Sequence, residues 1–236
     1  GLGPLVQKMS KLIQHRGPDG HGVESGPGFA FAHRRLSIID IDGGAQPILS
    51  QDRDFVMVFN GEIYNYKMLR RMLQSTGSTF TTQSDSEVLL QAWQEWGDEA
   101  LDKIEGMFAF AIWQHSTSKL WLVRDRFGIK PLYFSIGSDG TISFGSELKA
   151  LLANSEVQPG RINSHAIADY LTLGYIPPGK GFFSNAQQLM PAECLEYCRA
   201  TRKVRKRHYW RPSISQSSVN SDDFVEGSLW EQISSS

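Results

Sequence analysis

Two neighbouring pairs of short apolar runs in the middle of the chain constrain its fold most. Residues 107–113 and 120–124 flank a polar stretch at 115–119. Phe108, Phe110 and Ile112 alternate along the first run, Trp121 and Val123 along the second. A period of two puts these side chains on one face of paired strands, so they read as sheet core and the pair as a hairpin. A second pair, 132–136 and 141–144, brackets the turn Gly137-Ser138-Asp139-Gly140. Strands are also predicted at 28–33, at 55–60 (ending in a turn at Asn60-Gly61) and in a late ribbon, 193–197 with 207–210. Leu5, Met9, Leu12 and Ile13 recur at helical spacing, which predicts a helix over 4–14. Further helices are predicted at 66–73, 148–153 and 164–173, and at 85–96, where Ser84-x-x-Glu87 has the spacing of a capping box. The helices group before and after the strands without βαβ alternation, which implies a layered α+β domain.

With 40% apolar and 21% charged residues the 236-residue chain has enough material for a packed core. The 24 Lys plus Arg against 25 Asp plus Glu leave a net charge of −1, with no long-range pull on nucleic acid or lipid. No apolar run approaches the ~20 residues of a membrane-spanning helix. Residues 1–8 lack a basic-then-apolar leader. Cys194 and Cys198 are too few for a disulfide framework, so a cytoplasmic setting is expected. Their C-x-x-x-C spacing, with no nearby His, reads as structural thiols rather than a metal site. Six cations, Arg199, Arg202, Lys203, Arg205, Lys206 and Arg207, fall within nine positions and read as a solvated hairpin tip rather than a nucleic-acid surface.

Three segments offer complementary chemistry: His33 through Asp40, Asn60 through Asn65, and Ser84-Asp85-Ser86-Glu87. A guanidinium pairs bidentately with an α-carboxylate. A carboxylate at a helix start can take an α-ammonium. A side-chain amide beside an unobstructed Gly N–H can donate two hydrogen bonds to one developing oxyanion. Together they suit a zwitterionic amino acid carrying a reactive carbonyl. Singly they have ordinary readings: a hairpin turn, a charge offsetting a helix dipole, a sheet-edge cation.

These segments resemble the glutaminase domain of glutamine-hydrolysing asparagine synthetases, a class II glutamine amidotransferase of the N-terminal-nucleophile type. The likeness runs in order through His15-Arg16-Gly17-Pro18-Asp19, Arg35-Leu36-Ser37-Ile38-Ile39-Asp40, Asn60-Gly61-Glu62-Ile63-Tyr64-Asn65 and Ser84-Asp85-x-Glu87. It continues through Gly106-Met107-Phe108-Ala109-Phe110-Ala111, Arg124-Asp125-x-x-Gly128-x-Lys130-Pro131-Leu132-Tyr133, Ser146-Glu147-x-Lys149-Ala150-Leu151 and Gly174-Tyr175-Ile176-Pro177. The resemblance implies a four-layer αββα sandwich, two stacked antiparallel sheets between helical layers. It assigns the glutamine α-carboxylate to Arg35, the α-ammonium to Asp85 with Glu62 lining the pocket, and backbone contacts to Leu36, Ser37, Ile38 and Ile39. It assigns the oxyanion hole to Asn60 and Gly61.

The family's nucleophile is a cysteine at the mature N-terminus of an opening strand. This sequence starts Gly1-Leu2-Gly3 at a predicted helix, so the opening strand is expected to be missing and the chain as given to be inactive as a glutaminase. The expected organisation is an amidotransferase domain over 1–211, a Ser-rich linker over 212–223 and the start of a truncated synthetase domain over 224–236, with a helix at 226–233. No cofactor is expected in this chain; ATP and Mg belong to the synthetase domain, which is also the expected partner besides L-glutamine. Neither nucleic acid nor membrane is expected, and a homodimer stays open. The parent reaction implied is ATP-dependent amidation of aspartate. A non-catalytic binding or assembly domain, or amidation of another acid, remain alternatives.

Overall fold

A computed structural model of the protein describes residues 1–36, 44–154 and 160–213. The chain opens with α1 (Leu2–Leu12), β1 (Gly20–Gly26), β2 (Phe29–Arg35), β3 (Ile48–Leu49) and β4 (Phe55–Ile63). Then come α2 (Tyr66–Ser75), α3 (Asp85–Trp96), the short α4 (Ala100–Lys103), β5 (Gly106–Gln114), β6 (Lys119–Arg124), β7 (Tyr133–Ile136) and β8 (Ile142–Gly145). The short α5 (Leu148–Leu151), α6 (Ser164–Leu173), β9 (Ala186–Gln188), β10 (Glu193–Cys198) and β11 (Lys203–His208) complete it.

The six-stranded antiparallel sheet β11-β10-β6-β5-β4-β3 divides the core into two by side-chain parity. On one face Met57, Phe59, Ile63, Phe108, Phe110 and Ile112 pack with Leu69 and Leu73 of α2 and Val88, Leu89 and Trp93 of α3. On the other, Val56, Val58, Ala109, Ala111 and Trp113 meet Phe29 and Phe31 of β2 and Phe134 of β7. Strict alternation between the two sets is what a strand buried on both faces requires.

The second β layer is split into β1-β2 and β8-β7-β9. α1 covers β1 and β2, α5 covers β7 and β8, and the two helices touch. The layer order is therefore helix, six-stranded sheet, divided sheet, helix, the αββα architecture that the resemblance implies. Among the described residues, β2 pairs with no strand but β1, apart from a single bridge from Arg35 to Pro18, and β8 with no strand but β7. Both strands border one cavity of about 700 Å³ that reaches from Asn60 and His33 to Gly140 and Arg202, floored by Val58, Ala109 and Ala111. Phe31 and Phe144 meet edge-to-face across it, 5.3 Å between ring centres.

Several expectations need correction. β4 does not turn at Asn60-Gly61: it runs to Ile63, with Gly61 opposite Phe108. β1, rich in glycine and polar residues, carries no apolar alternation and was not predicted. The cation run forms much of the edge strand β11 rather than only a hairpin tip. There Arg207 meets Asp98 at 2.6 Å and Lys206 meets Glu193 at 3.6 Å, and charge on an edge strand discourages pairing with another sheet. The segments at 212–223 and 226–233 lie almost entirely outside the described residues, as do Ser37, Ile38 and Ile39. No helix among the described residues is long and apolar enough to cross a membrane.

Two motifs of the resemblance prove structural. Asp125, fully buried, accepts the backbone N–H groups of Phe108, Phe127, Ile129 and Lys130 at 2.9–3.3 Å. Arg124 beside it donates to the carbonyls of Gly128, Lys130 and Leu189 at 2.6–2.8 Å. Gly128 has φ +68°, and a Cβ there would press on the Arg124 guanidinium, so the loop needs glycine. Glu147 gathers His15, Arg16 and Lys149 at 2.7, 3.4 and 3.1 Å, joining two motifs more than 130 residues apart.

Candidate active site

β4 organises the site. Phe108 spends both its backbone groups on Asp125: its N–H donates to Asp125 Oδ2 and its carbonyl accepts the Asp125 N–H at 2.8 Å. The Gly61–Phe108 pair is therefore one of the non-hydrogen-bonded pairs of the ladder. Gly61 consequently turns its N–H away from β5, towards the side on which Phe59 N–H reaches Gln46 Oε1 (2.6 Å) and Ile63 N–H reaches Asp85 Oδ2 (3.0 Å). Glycine is obligatory here. A Cβ would sit 2.1 Å from the Met107 carbonyl oxygen and 2.6 Å from Phe108 Cα, at φ +155°.

By the same parity Asn60 and Glu62 share the inner face of β4. Asn60 lines the cavity, and its side-chain NH₂ is buried without an acceptor among the described residues. A buried donor left without an acceptor costs about 1–3 kcal/mol.

Asp85 begins α3, held in register by the Ser84 side chain, which accepts the Glu87 N–H at 3.3 Å. The reciprocal half of the capping box is not made. Glu87 instead turns to Thr81 and Thr82, accepting both backbone N–H groups and both hydroxyls at 2.7–2.8 Å. Asp85 is buried and its carboxyl is raised above the ordinary carboxylate value. Burial drives the rise, backbone donors at Ile63, Ser86 and Asp85 itself oppose it, and the neighbouring Glu62 charge adds to it. Such a pair of acidic groups favours an incoming cation.

Arg35 ends β2 on the same strand face as His33, two residues before it. The His33 ring donates to the Phe59 carbonyl at 3.0 Å, joining β2 to β4. Burial lowers the His33 pKa to about 4, the bond to Phe59 resists, and the nearby Arg35 charge lowers it further. His33 is therefore neutral at pH 7, and Arg35 carries the positive charge. Leu36 is exposed.

The structure thus joins Asn60, Gly61, Glu62 and Asp85 through one end of β4, while Arg35 lies two residues beyond His33, whose ring bonds Phe59. Arg35, Gly61, Glu62 and Asp85 border this end without lining the cavity itself. Sequence reasoning included His33 in the first segment without giving it a role, and missed Gln46 altogether. The alternation Phe29, Phe31, His33 was the available signal for the first; nothing local distinguishes Gln46. Cys194 and Cys198 lie on β10, which β5 and β6 separate from β4, and burial pushes the Cys194 thiol up to about 12.

Comparison with known proteins bears on this geometry. The chain is 39% identical to asparagine synthetase [glutamine-hydrolyzing] 1 of Bacillus subtilis over 188 residues, 79% of this chain and 29% of that protein. It is 42% identical to asparagine synthetase B [glutamine-hydrolyzing] of Escherichia coli over 145 residues, 61% of this chain and 26% of that protein. The chain spans about a third of the length of the curated relatives it matches. Among solved structures, glutamine phosphoribosylpyrophosphate amidotransferase of B. subtilis aligns with TM-score 0.61 at 18% identity, over 89% of this chain and 47% of that one; this likeness establishes the shared fold. A model of the family described as the glutamine amidotransferase domain matches residues 2–210, which span every element placed above, and the chain belongs to that family.

Proposed function

We propose that this domain binds L-glutamine and stabilises the hydrolysis of its side-chain amide, supplying ammonia to a synthetase domain that amidates aspartate with ATP and Mg. The observation that carries the reading is the buried, unpartnered Asn60 amide beside a Gly61 N–H released from the β4–β5 ladder. Two preorganised donors at one point are what a tetrahedral oxyanion requires.

Arg35 takes the α-carboxylate, Asp85 and Glu62 the α-ammonium, and Leu36, Ser37, Ile38 and Ile39 contact glutamine through backbone. The proposed nucleophile is a cysteine thiolate that meets the glutamine side chain at Asn60. Its sulfur bonds to the glutamine side-chain carbonyl carbon, the C–N bond breaks, and a proton passed through the α-amine leaves with ammonia. Water then cleaves the γ-glutamyl thioester to glutamate and regenerates the thiol. The names of the relatives support both the glutamine half and aspartate as acceptor. Neither cysteine of the chain lies beside β4, so the 236 residues alone bind glutamine without hydrolysing it.

Titration calorimetry with L-glutamine tests this. Binding is expected in the chain as given, is lost in Arg35→Ala and Asp85→Ala, and persists in Asn60→Ala. Ammonia release by the chain alone would overturn the assignment of the nucleophile. When the cysteine-bearing strand is present, Asn60→Ala is expected to slow turnover by roughly 10²–10³, the usual loss for one oxyanion donor.

A further inference from the structure

We propose that Gln46, assisted by His33, is a positioning residue that clamps Phe59 and so fixes the two donors that follow it, Asn60 and Gly61. This rests on the oxyanion role proposed above for that dipeptide.

The register makes the case. Ile48 lies opposite Met57 and Leu49 opposite Val56, so continuing the β3–β4 ladder would set Gln46 opposite Phe59. The strand ladder ends at Ile48, two residues before that point. The Gln46 side chain takes over: Oε1 accepts the Phe59 N–H at 2.6 Å and Nε2 donates to the Phe59 carbonyl at 3.0 Å. A primary amide carries the same donor and acceptor as a peptide unit, so it supplies one rung without a strand behind it. The His33 ring occupies the second lone pair of the same carbonyl at 3.0 Å, leaving Phe59 fully satisfied.

A real strand in this place would run on and cover the next groups along the edge. A side chain cannot. The ladder therefore ends at Phe59, while β4 continues through Gly61 to Ile63, where Asp85 takes the N–H. Phe59 and Ile63 are thus anchored on either side of Gly61, and its N–H is held at a fixed angle between two clamped residues. Gly22 marks how closely this segment packs: a Cβ there would lie 2.1 Å from the Gln46 carbonyl oxygen.

The test uses the ¹⁵N-labelled 236-residue chain, with amide hydrogen exchange and resonance positions as readouts. In Gln46→Ala, exchange at Phe59 N–H is expected to quicken roughly tenfold, the effect of losing one hydrogen bond. The Gly61 N–H and Asn60 side-chain NH₂ resonances are expected to move, while β5 and β6 amides keep their protection. Gln46→Glu retains an acceptor for Phe59 N–H but loses the donor. It is expected to restore most of the Phe59 protection, and it carries the test if the alanine variant does not fold. Unchanged exchange at Phe59 in Gln46→Ala, or faster exchange with the Gly61 and Asn60 resonances unmoved, would overturn the clamp. A wild-type chain whose Gly61 and Asn60 signals ignore added L-glutamine, yet respond to Gln46→Ala, would uphold the clamp and remove the glutamine reading.

Discussion

Asp85 and Glu87 stand two residues apart at the start of α3 and titrate in opposite senses. Burial pushes Glu87 up, but the four donors from Thr81 and Thr82 outweigh it and leave its carboxyl below the usual range. Its contribution to stability is thus present above the unfolded carboxylate pKa and disappears as pH falls through the folded value. Asp85, raised by burial, behaves the other way: stability declines as pH rises from the unfolded value through the folded one. Urea denaturation at several pH values is expected to show Glu87→Gln less stable than wild type by about 1–3 kcal/mol at pH 7, the gap narrowing towards acid. Asp85→Asn should show its most favourable difference from wild type at neutral pH, again fading towards acid. Equal pH profiles for the two variants would contradict both assignments. The residue types were legible in the sequence. Their opposite environments were not, because both occupy the first turn of the same helix and differ only in what the fold places beside them.

Among elements, β4 was read three residues short at its C-terminal end, and the reason is instructive. Asn-Gly is a strong turn signal in isolation, yet here glycine serves the close approach of β5. An added methyl group at Gly61 would meet the Met107 carbonyl and the Phe108 backbone, neither of which can yield without separating two central strands. Gly61→Ala is therefore expected to cost about 3 kcal/mol or more, measured as a fall in the urea midpoint. An unaltered midpoint would mean that β4 and β5 part easily. Elements with a clean period were legible: the helices at 85–96 and 164–173 and the hairpin of β5 and β6 sit where apolar spacing predicts them. β1, β3 and β9 escaped because short or glycine-rich strands carry no periodic signal, and partners distant in sequence hold them.

At the scale of the whole molecule, the two β layers differ in completeness. The six-stranded sheet buries both faces, whereas the second layer is interrupted between β2 and β8 by the cavity. Hydrogen exchange is expected to reflect this. Core amides of β5 and β6 should exchange only with global unfolding, and those on the cavity-facing edges of β2 and β8 at least roughly a hundredfold faster. Uniform protection across both layers would show that the gap is closed in solution.

The sequence by itself determined the α+β class, the main helices and hairpins, the apolar alternation of Phe108, Phe110 and Ile112 along β5, and the residue types whose chemistry suits an amino acid. These follow from local spacing and side-chain chemistry, which a chain carries whether folded or not. Only the tertiary structure decided that Asn60-Gly61 lies inside a strand, that Asp125 turns the Phe108 backbone away from Gly61, and that Gln46 and His33 pin the residue before it. Hydrogen-bond direction in a sheet depends on which strand lies alongside, and that neighbour is chosen by the packing of segments far apart in the chain.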